Sequence, residues 1–490
     1  MKQFPFGVLG LVVAALLFGA AASWLFHEEP IGINFSVWVL AVLCVGVYAR
    51  RPATATGYVP LAGAILFAIL FAWREGEPVK QFLVLTILIS CFLTAIAAHG
   101  RSLRIAYAHE YIVDGIQLGL SIFTVPGLVL RGLHQEMTAV GKPRAAAAFS
   151  TLLGVIIAIP ALVIFGSLFS EADPTFKKWF VDTLYFDFEN AAQYVFQTLV
   201  FGCFAIIAWV LYLEGTPRTR TPREQNPQPI GWGSIEINVA LGLISVLFLC
   251  FVAIQLPYFF GGHERVQTEE HLTYAEYARQ GFFELTAVSA LTFALLLGSA
   301  TIIQGTTGKA RTAYKIVSGI LIACVGIIMA SAMHRLSLYI DTYGVTSNRL
   351  YAGWFMAWLA VAFVWLYVTI FRDRLRTFAW GFLLSGYAAI LVVTVINPDG
   401  LAVKITAARA IEREIDADKS DKWWVGMLNI ESIPAFVDAL PKLIEPDRKE
   451  LTEELAKQEK DLVERPNRTW TLSLQNARDA LERLRDPASR

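Results

Sequence analysis

The sequence predicts an all-α polytopic membrane helix bundle of about eleven transmembrane helices, followed by a small C-terminal helical tail outside the membrane. Three observations carry this expectation. Hydrophobic residues make up 56% of the chain and charged residues 17%, whereas an ordinary soluble domain is roughly 25% charged. The mean hydropathy is +0.52. Charge is also segregated: Leu401 to Arg490 holds 18 acidic and 16 basic residues, leaving 48 charged residues for the first 400. The tail is therefore a different kind of polymer from the body.

A helix of about 20 apolar residues crosses the hydrocarbon layer with its backbone groups paired internally, so long apolar runs read as spans. In chain order they are Phe6 to Phe26, Ile31 to Tyr48, Tyr58 to Trp73, Gln81 to Ala98, Ala145 to Leu168 and Ala192 to Leu213. After a break come Ile235 to Phe260, Phe282 to Ile303, Ala313 to Ala332, Leu350 to Ile370 and Phe378 to Ile396. The first run follows Lys2 and ends in small residues, Gly19 to Ser23, in the manner of a secretory signal. It is longer than a usual signal core and reads as a retained span.

Arginine and lysine collect in alternate connections: Arg50 and Arg51; Arg101, Arg104, Arg131, Lys142 and Arg144; Arg218, Arg220 and Arg223; Lys309 and Arg311; Arg372, Arg374 and Arg376. Positive loops stay in the cytoplasm, so the expected home is a bacterial inner membrane. The N-terminus is then cytoplasmic and the C-terminal tail periplasmic. Tyr111 to Leu130 is apolar but holds Asp114, Gln117 and Pro126, with basic residues on both sides. It reads as an interfacial or re-entrant helix on the cytoplasmic face. Residues 214–234 carry Pro217, Pro222, Pro227 and Pro229; such a segment is a flexible cytoplasmic linker. It divides a membrane half, residues 1–213, from a second, residues 235–396. Residues 397–490 form the tail. Asn397-Pro398-Asp399-Gly400 ends the last span in a turn. Leu401 to Ala410 and Leu451 to Val463 look helical, and Ser473 is placed to cap a last helix with an apolar stripe at Ala477, Ala480, Leu481 and Leu484.

Several chemistries find no support. Net charge is zero, so no basic surplus points to nucleic acid. Cys44, Cys91, Cys203, Cys250 and Cys324 all lie in apolar runs without metal-ligand spacing, and the seven histidines are scattered. No metal and no cofactor are expected. Nucleotide-binding loops, nucleophile elbows and haem motifs are not visible, which favours a protein that is not an enzyme. No ionisable residue lies near the centre of an expected span, which counts against a proton-coupled carrier.

The second half carries blocks with a family resemblance. They are Phe251-Val-Ala-Ile-Gln255-Leu-Pro-Tyr258-Phe-Phe-Gly261-Gly262, Tyr274-Ala-Glu276-Tyr277-Ala-Arg279-Gln-Gly281-Phe282-Phe283-Glu284-Leu and Tyr343-Gly344-Val-Thr346-Ser-Asn-Arg349-Leu-Tyr351. With Asn397-Pro-Asp399-Gly and Leu428-Asn-Ile-Glu431-Ser-Ile-Pro434-Ala, the chain resembles bacterial polytopic membrane proteins of the domain-of-unknown-function 4153/4173 type. The resemblance spans Gly231 to Leu440, with the first half similar only in hydropathy. It implies a membrane helix bundle and supplies no catalytic residues.

On the expected topology the blocks fall at outer span ends. The candidate outer-face polar cluster is Tyr274, Glu276, Tyr277, Arg279, Glu284, Arg335, Tyr339, Asp341, Arg349, Tyr351, Asn397 and Asp399. Arginines, carboxylates and tyrosine hydroxyls suit an anionic headgroup, a glycan or a peptide, and equally suit salt bridges between outer loops. Thr346 and Ser347 are placed to cap the tenth span, while Trp354, Trp358 and Trp365 form a packing stripe. Gln197 and Gln255 are placed for interhelical hydrogen bonds. The leading functional expectation is transport or handling of an envelope component or lipid, with a cavity between the halves. A membrane-embedded envelope-biogenesis enzyme is the alternative, with a carboxylate of the cluster as general base. The third reading is a sensor or assembly partner that binds an envelope protein through a tail patch at Trp423, Trp424 and Leu428. Besides such a protein, the expected partner is the lipid bilayer.

Overall fold

The computed structural model describes residues 7–26, 31–100, 102–121, 234–260, 274–303, 306–412, 426–443, 445–463, 465 and 469–485, with a few positions between 197 and 209. The described residues are helical throughout their regular structure. In the first half lie α1 (Gly7–Phe26), α2 (Ile33–Ala49), α3 (Tyr58–Phe71), α4 (Glu77–Ala98) and α5 (Ala108–Ser121). The second half holds α6 (Ser234–Phe260), α7 (Tyr274–Ile302), α8 (Lys309–Tyr343), α9 (Ser347–Phe371) and α10 (Phe378–Ile396). The tail folds as α11 (Pro398–Glu412), α12 (Ile433–Ala439), α13 (Glu445–Val463) and α14 (Leu472–Arg485).

Among the described residues six helices are long and apolar enough to cross a membrane: α4, α6, α7, α8, α9 and α10, while α1, α2 and α3 are apolar but shorter. The expected span Ala145 to Leu168, and most of Ala192 to Leu213, lie outside the described residues. Helix boundaries match the apolar runs within a few residues except at α7, which begins at Tyr274, eight residues before the expected Phe282, and at α8. This helix does not stop near Ala332 but runs on to Tyr343 over 35 residues, about 52 Å at 1.5 Å per residue. Hydropathy falls after Ala332, yet hydrogen bonding within the helix continues, so the helix projects well beyond a hydrocarbon layer of about 30 Å.

With lipid outside, shape rather than hydrophobic exclusion brings spans together, and small residues let them approach closely. A Cβ at Gly381 would lie 2.2 Å from the Trp365 ring, and one at Gly63 would lie 2.6 Å from Tyr387. The tryptophan stripe is used in this packing. Trp365 donates to the Phe378 carbonyl and Trp354 to the Ala389 carbonyl, each at 3.0 Å, and Trp358 packs on Phe382 with the rings tilted at 45°. Hydroxyls inside spans return to their own helix, as Thr94 does to the Ser90 carbonyl and Thr394 to that of Ile390. Ser23 donates to the Gln197 side chain across helices; the side chain of Gln255 lies outside the described residues. One core gathers Leu296, Leu321, Val325, Met356 and Leu366 of the second half. Another joins Phe67, Phe71, Leu83 and Ile87 of the first half to Tyr351 and Val393 of the second.

The helices run between two ends. At one, Arg50 donates to the Ala98 carbonyl, the Ala106 amide to the Arg376 carbonyl and Asn238 to the Ala310 carbonyl. Helix α5 starts at this end, three residues before the expected interfacial segment, and Asp114 is buried on it; residues 122–130 lie outside the described set.

The tail stands at the other end with its own core, built on Phe436, Leu451, Leu455, Leu474, Ala477, Ala480 and Leu481. The expected stripe of α14 is thus buried. Its cap is Thr471 and not Ser473: the Leu474 amide donates to the Thr471 hydroxyl at 3.2 Å, and Ser473 is buried inside the helix. Thr346 holds the N-cap position of α9 without a side-chain cap bond; its carbonyl accepts the amides of Arg349 and Leu350 instead.

Candidate functional site at the tail–membrane junction

The short connection between α3 and α4 carries Arg74, Glu75 and Gly76, and Lys80 follows on the first turn of α4. Helix α10 ends beside it, leaving terminal carbonyls that need donors. Arg74 supplies them, donating Nε to the Thr394 carbonyl at 2.6 Å and Nη2 to that of Val395 at 3.1 Å. Its Nη1 pairs with Glu431 Oε2 at 2.9 Å, and these two side chains are only 8% and 4% exposed. Glu431 Oε1 accepts the amides of Glu75, at 2.5 Å, and Gly76, at 3.4 Å. That carboxylate therefore sits at the N-terminus of α4, where the helix dipole favours an anion.

Glu75 anchors a second cluster. Its Oε2 accepts Lys80 Nζ at 2.9 Å and the Thr471 hydroxyl at 3.0 Å, while Oε1 accepts Arg465 at 3.0 Å. Lys80 also donates to the Ile31 carbonyl at 2.7 Å. A third cluster holds Asp399, on the first turn of α11: Tyr351 donates to Oδ2 and Asn429 to Oδ1, both at 2.9 Å. Asn397 occupies a left-handed backbone conformation (φ 52°), which asparagine tolerates. Its side chain accepts the Gly400 amide and donates to the Glu431 carbonyl. A Cβ on Gly76 would lie 3.2 Å from Asp399 Oδ2 and 3.4 Å from Glu431 Cγ, so the clusters close around that glycine. Three cations, Arg74, Lys80 and Arg465, pair with Glu431 and Glu75, and Asp399 is held by the neutral donors Tyr351 and Asn429. Buried charge of this kind persists only when paired and hydrogen-bonded.

Backbone bonds complete the junction. The Ile33 amide donates to the Trp470 carbonyl at 3.1 Å, and the Leu472 and Ser473 amides donate to Ala72 and Trp73 at 3.0 and 2.9 Å. The tail is therefore sewn to the first half as well as continuous with the second. Beside the network, an open groove of about 780 Å³ runs from Ile396 and Leu401 to Lys404, Asp438, Asp479 and Arg483.

Of the sequence-derived candidates, Tyr351, Asn397 and Asp399 come together here. Arg349 and Tyr339 form a separate pair, the guanidinium 3.9 Å from the ring centroid; Arg349 also donates to the Gly344 carbonyl. Asp341, 70% exposed, meets Arg409 at 3.5 Å, and Arg335 is half-buried on α8. Tyr274, Glu276, Tyr277, Arg279 and Glu284 form the start of α7, with side chains outside the described residues. Trp423 and Trp424 lie outside the described residues too, and Leu428 packs half-buried on the tail core.

Arg74, Glu75, Lys80, Asn429, Arg465 and Thr471 had no assigned part in the sequence reading, and Glu431 appeared only within a resemblance block. One signal pointed to them: Arg74 and Lys80 are cations in a connection on the side otherwise poor in unpaired basic residues, where each needs a partner. Chemically, the arrangement is a clamp. Both oxygens of Glu431 and of Asp399 are engaged, so neither carboxylate is poised as a base.

Among the described residues no group of three or more His, Cys, Asp or Glu side chains is placed to hold a metal ion. No curated protein and no solved structure matches the chain. The family model described as "Domain of unknown function (DUF4153)" matches residues 61–437, from α3 through the clamp residues Arg74, Tyr351, Asp399 and Glu431. The chain is a membrane protein that belongs to the DUF4153 family.

Proposed function

We propose that this protein resides in a bacterial inner membrane, tail on the periplasmic side, and handles a lipid or other amphiphilic envelope component in the groove at the tail–membrane junction. The observation that carries this reading is the groove's two-sided chemistry. Ile396, the exposed last residue of a span, and Leu401 line the groove together with Lys404, Asp438, Asp479, Glu482 and Arg483. An acyl chain lying along the span end would bring its polar head to those side chains, and ligand sites combine apolar walls with a few polar groups in this way. The groove adjoins the tail and the last span, a different place from the cavity between halves that the sequence led us to expect. Sidedness rests on the charge rule: Arg50, Arg51, Lys309, Arg372 and Arg374 are at the end away from the tail.

Photocrosslinking tests the reading. With a photoreactive side chain at Lys404, the protein irradiated in native membranes is expected to carry a lipid adduct, whereas the same group at exposed Lys449 carries none. Equal labelling at both positions, or none at Lys404, overturns it. Thiol labelling of intact cells tests sidedness: Lys449→Cys is expected to react with an impermeant reagent and Thr307→Cys to be protected. The reverse pattern rejects the periplasmic tail.

A further inference from the structure

At the end of the helices remote from the tail, cations are in excess. The first two turns of α8 carry Lys309, Arg311 and Lys315, and the connection after α9 carries Arg372, Arg374 and Arg376. Asp373 lies among them, with Glu236 on the first turn of α6 and Glu110 on that of α5 as the acids of adjoining helices. Asp373 has a left-handed backbone (φ 54°). Its Oδ1 accepts Arg311 Nε at 3.0 Å and its Oδ2 accepts Lys315 Nζ at 2.5 Å. Both oxygens are then engaged, yet Arg311 Nη1 is shielded from solvent and has no acceptor. Arg372 and Arg374 are exposed and form no ion pair among the described residues. Apolar surface borders this corner on the span side: Phe371 is exposed, with Lys315 Nζ 5.8 Å from its ring centroid, and Ile316 is exposed on the next position of α8.

We propose that this corner binds the phosphate of an anionic phospholipid, with the headgroup at Arg372 and Arg374 and the acyl chains along Phe371 and Ile316. The two exposed arginines answer the charge of a phosphate, while Arg311 and Lys315 behind them are held on Asp373 and leave the corner cationic. A bare phosphate ion would satisfy the same donors, but it would leave the apolar border in contact with nothing. The site lies at the opposite end from the groove, so the two readings stand or fall separately.

The test is lipid retention by the full-length protein, purified in mild detergent and weighed intact by native mass spectrometry after exposure to phosphatidylglycerol or phosphatidylcholine. Phosphatidylglycerol is expected to remain bound in preference. The Arg372→Gln/Arg374→Gln variant is expected to lose that preference by about fivefold per arginine, from the attraction of a surface cation to anionic lipid. Lys449→Gln on the tail should change nothing. Equal retention of the two lipids, an unchanged preference in the double variant, or displacement of the lipid by inorganic phosphate at similar concentration overturns the proposal.

Discussion

The two ends of the helical body handle charge in opposite ways. At the tail end, Arg74 and Glu431 are 8% and 4% exposed and every carboxylate of the network is fully engaged. At the other end Asp373 is 56% exposed and shares its carboxylate between two cations, with further arginines left open to solvent. The difference lies in the solvent around the pair. Removing one partner of a buried pair strands a charge at a cost of several kcal/mol, whereas an exposed pair contributes about 0–1 kcal/mol. The first end therefore fixes a tail, and the second presents a surface.

Five variants can break or sharpen that contrast. The largest effect is predicted for Glu431→Ala, which leaves Arg74 buried without its carboxylate and should cost about 3–5 kcal/mol. It would be read as early tail release in limited proteolysis and a lowered melting temperature in detergent. An Arg74→Met/Glu431→Leu double variant should recover part of that loss, though the carbonyls of Thr394 and Val395 stay uncapped; a double variant worse than the single would reject the stranded-charge account. Next comes Tyr351→Phe, which removes one hydrogen bond to the Asp399 carboxylate and is predicted to cost about 1.5–3 kcal/mol, measured in the same melt. Gly381→Ala should cost about 1–3 kcal/mol by overpacking against Trp365 and should leave tail proteolysis unchanged, since it acts within the spans.

The smallest effect belongs to Asp373→Asn, about 0–1 kcal/mol because the site is exposed. Its pH dependence has a definite sign. Partial burial alone would raise the Asp373 carboxyl, but hydrogen bonds and charge from Lys315 and Arg311 outweigh it and hold the group below the usual carboxylate range. The contribution is therefore present above the ordinary carboxylate pKa and lost as pH falls through the lower folded value. A melt that responds to acid equally in the wild type and Asp373→Asn would remove this assignment.

The spans were legible because length and apolarity alone define them, so α6, α9 and α10 begin and end within a few residues of their apolar runs. The stripe of α14 was legible for the same reason, as a period. The extension of α8 was hidden, since residues after Ala332 are polar enough to read as an exit from the membrane while remaining excellent helix. The cap of α14 was displaced by two residues because Thr471 and Ser473 both fit the local pattern, and only the hydrogen bond of Thr471 decides, whereas Thr346 holds the expected N-cap position of α9. The clamp was hidden most deeply. Arg74 and Glu431 are 357 residues apart, and no local pattern announces a partner at that distance.

The seam between Ile33 and Trp470 makes the chain a closed ring in space, and this sets a timetable for its biosynthesis. Arg74 leaves the ribosome 357 residues before Glu431, an interval of about 20–70 s at roughly 5–20 residues per second. Throughout that interval the α3–α4 hairpin has reached the membrane while its arginine still lacks a carboxylate. The first half cannot reach its final arrangement as it emerges; it is finished only once Glu431, Arg465 and Thr471 have been made. Any ribosome that stops short of Glu431 thus leaves a bundle whose Arg74 has no carboxylate to pair with.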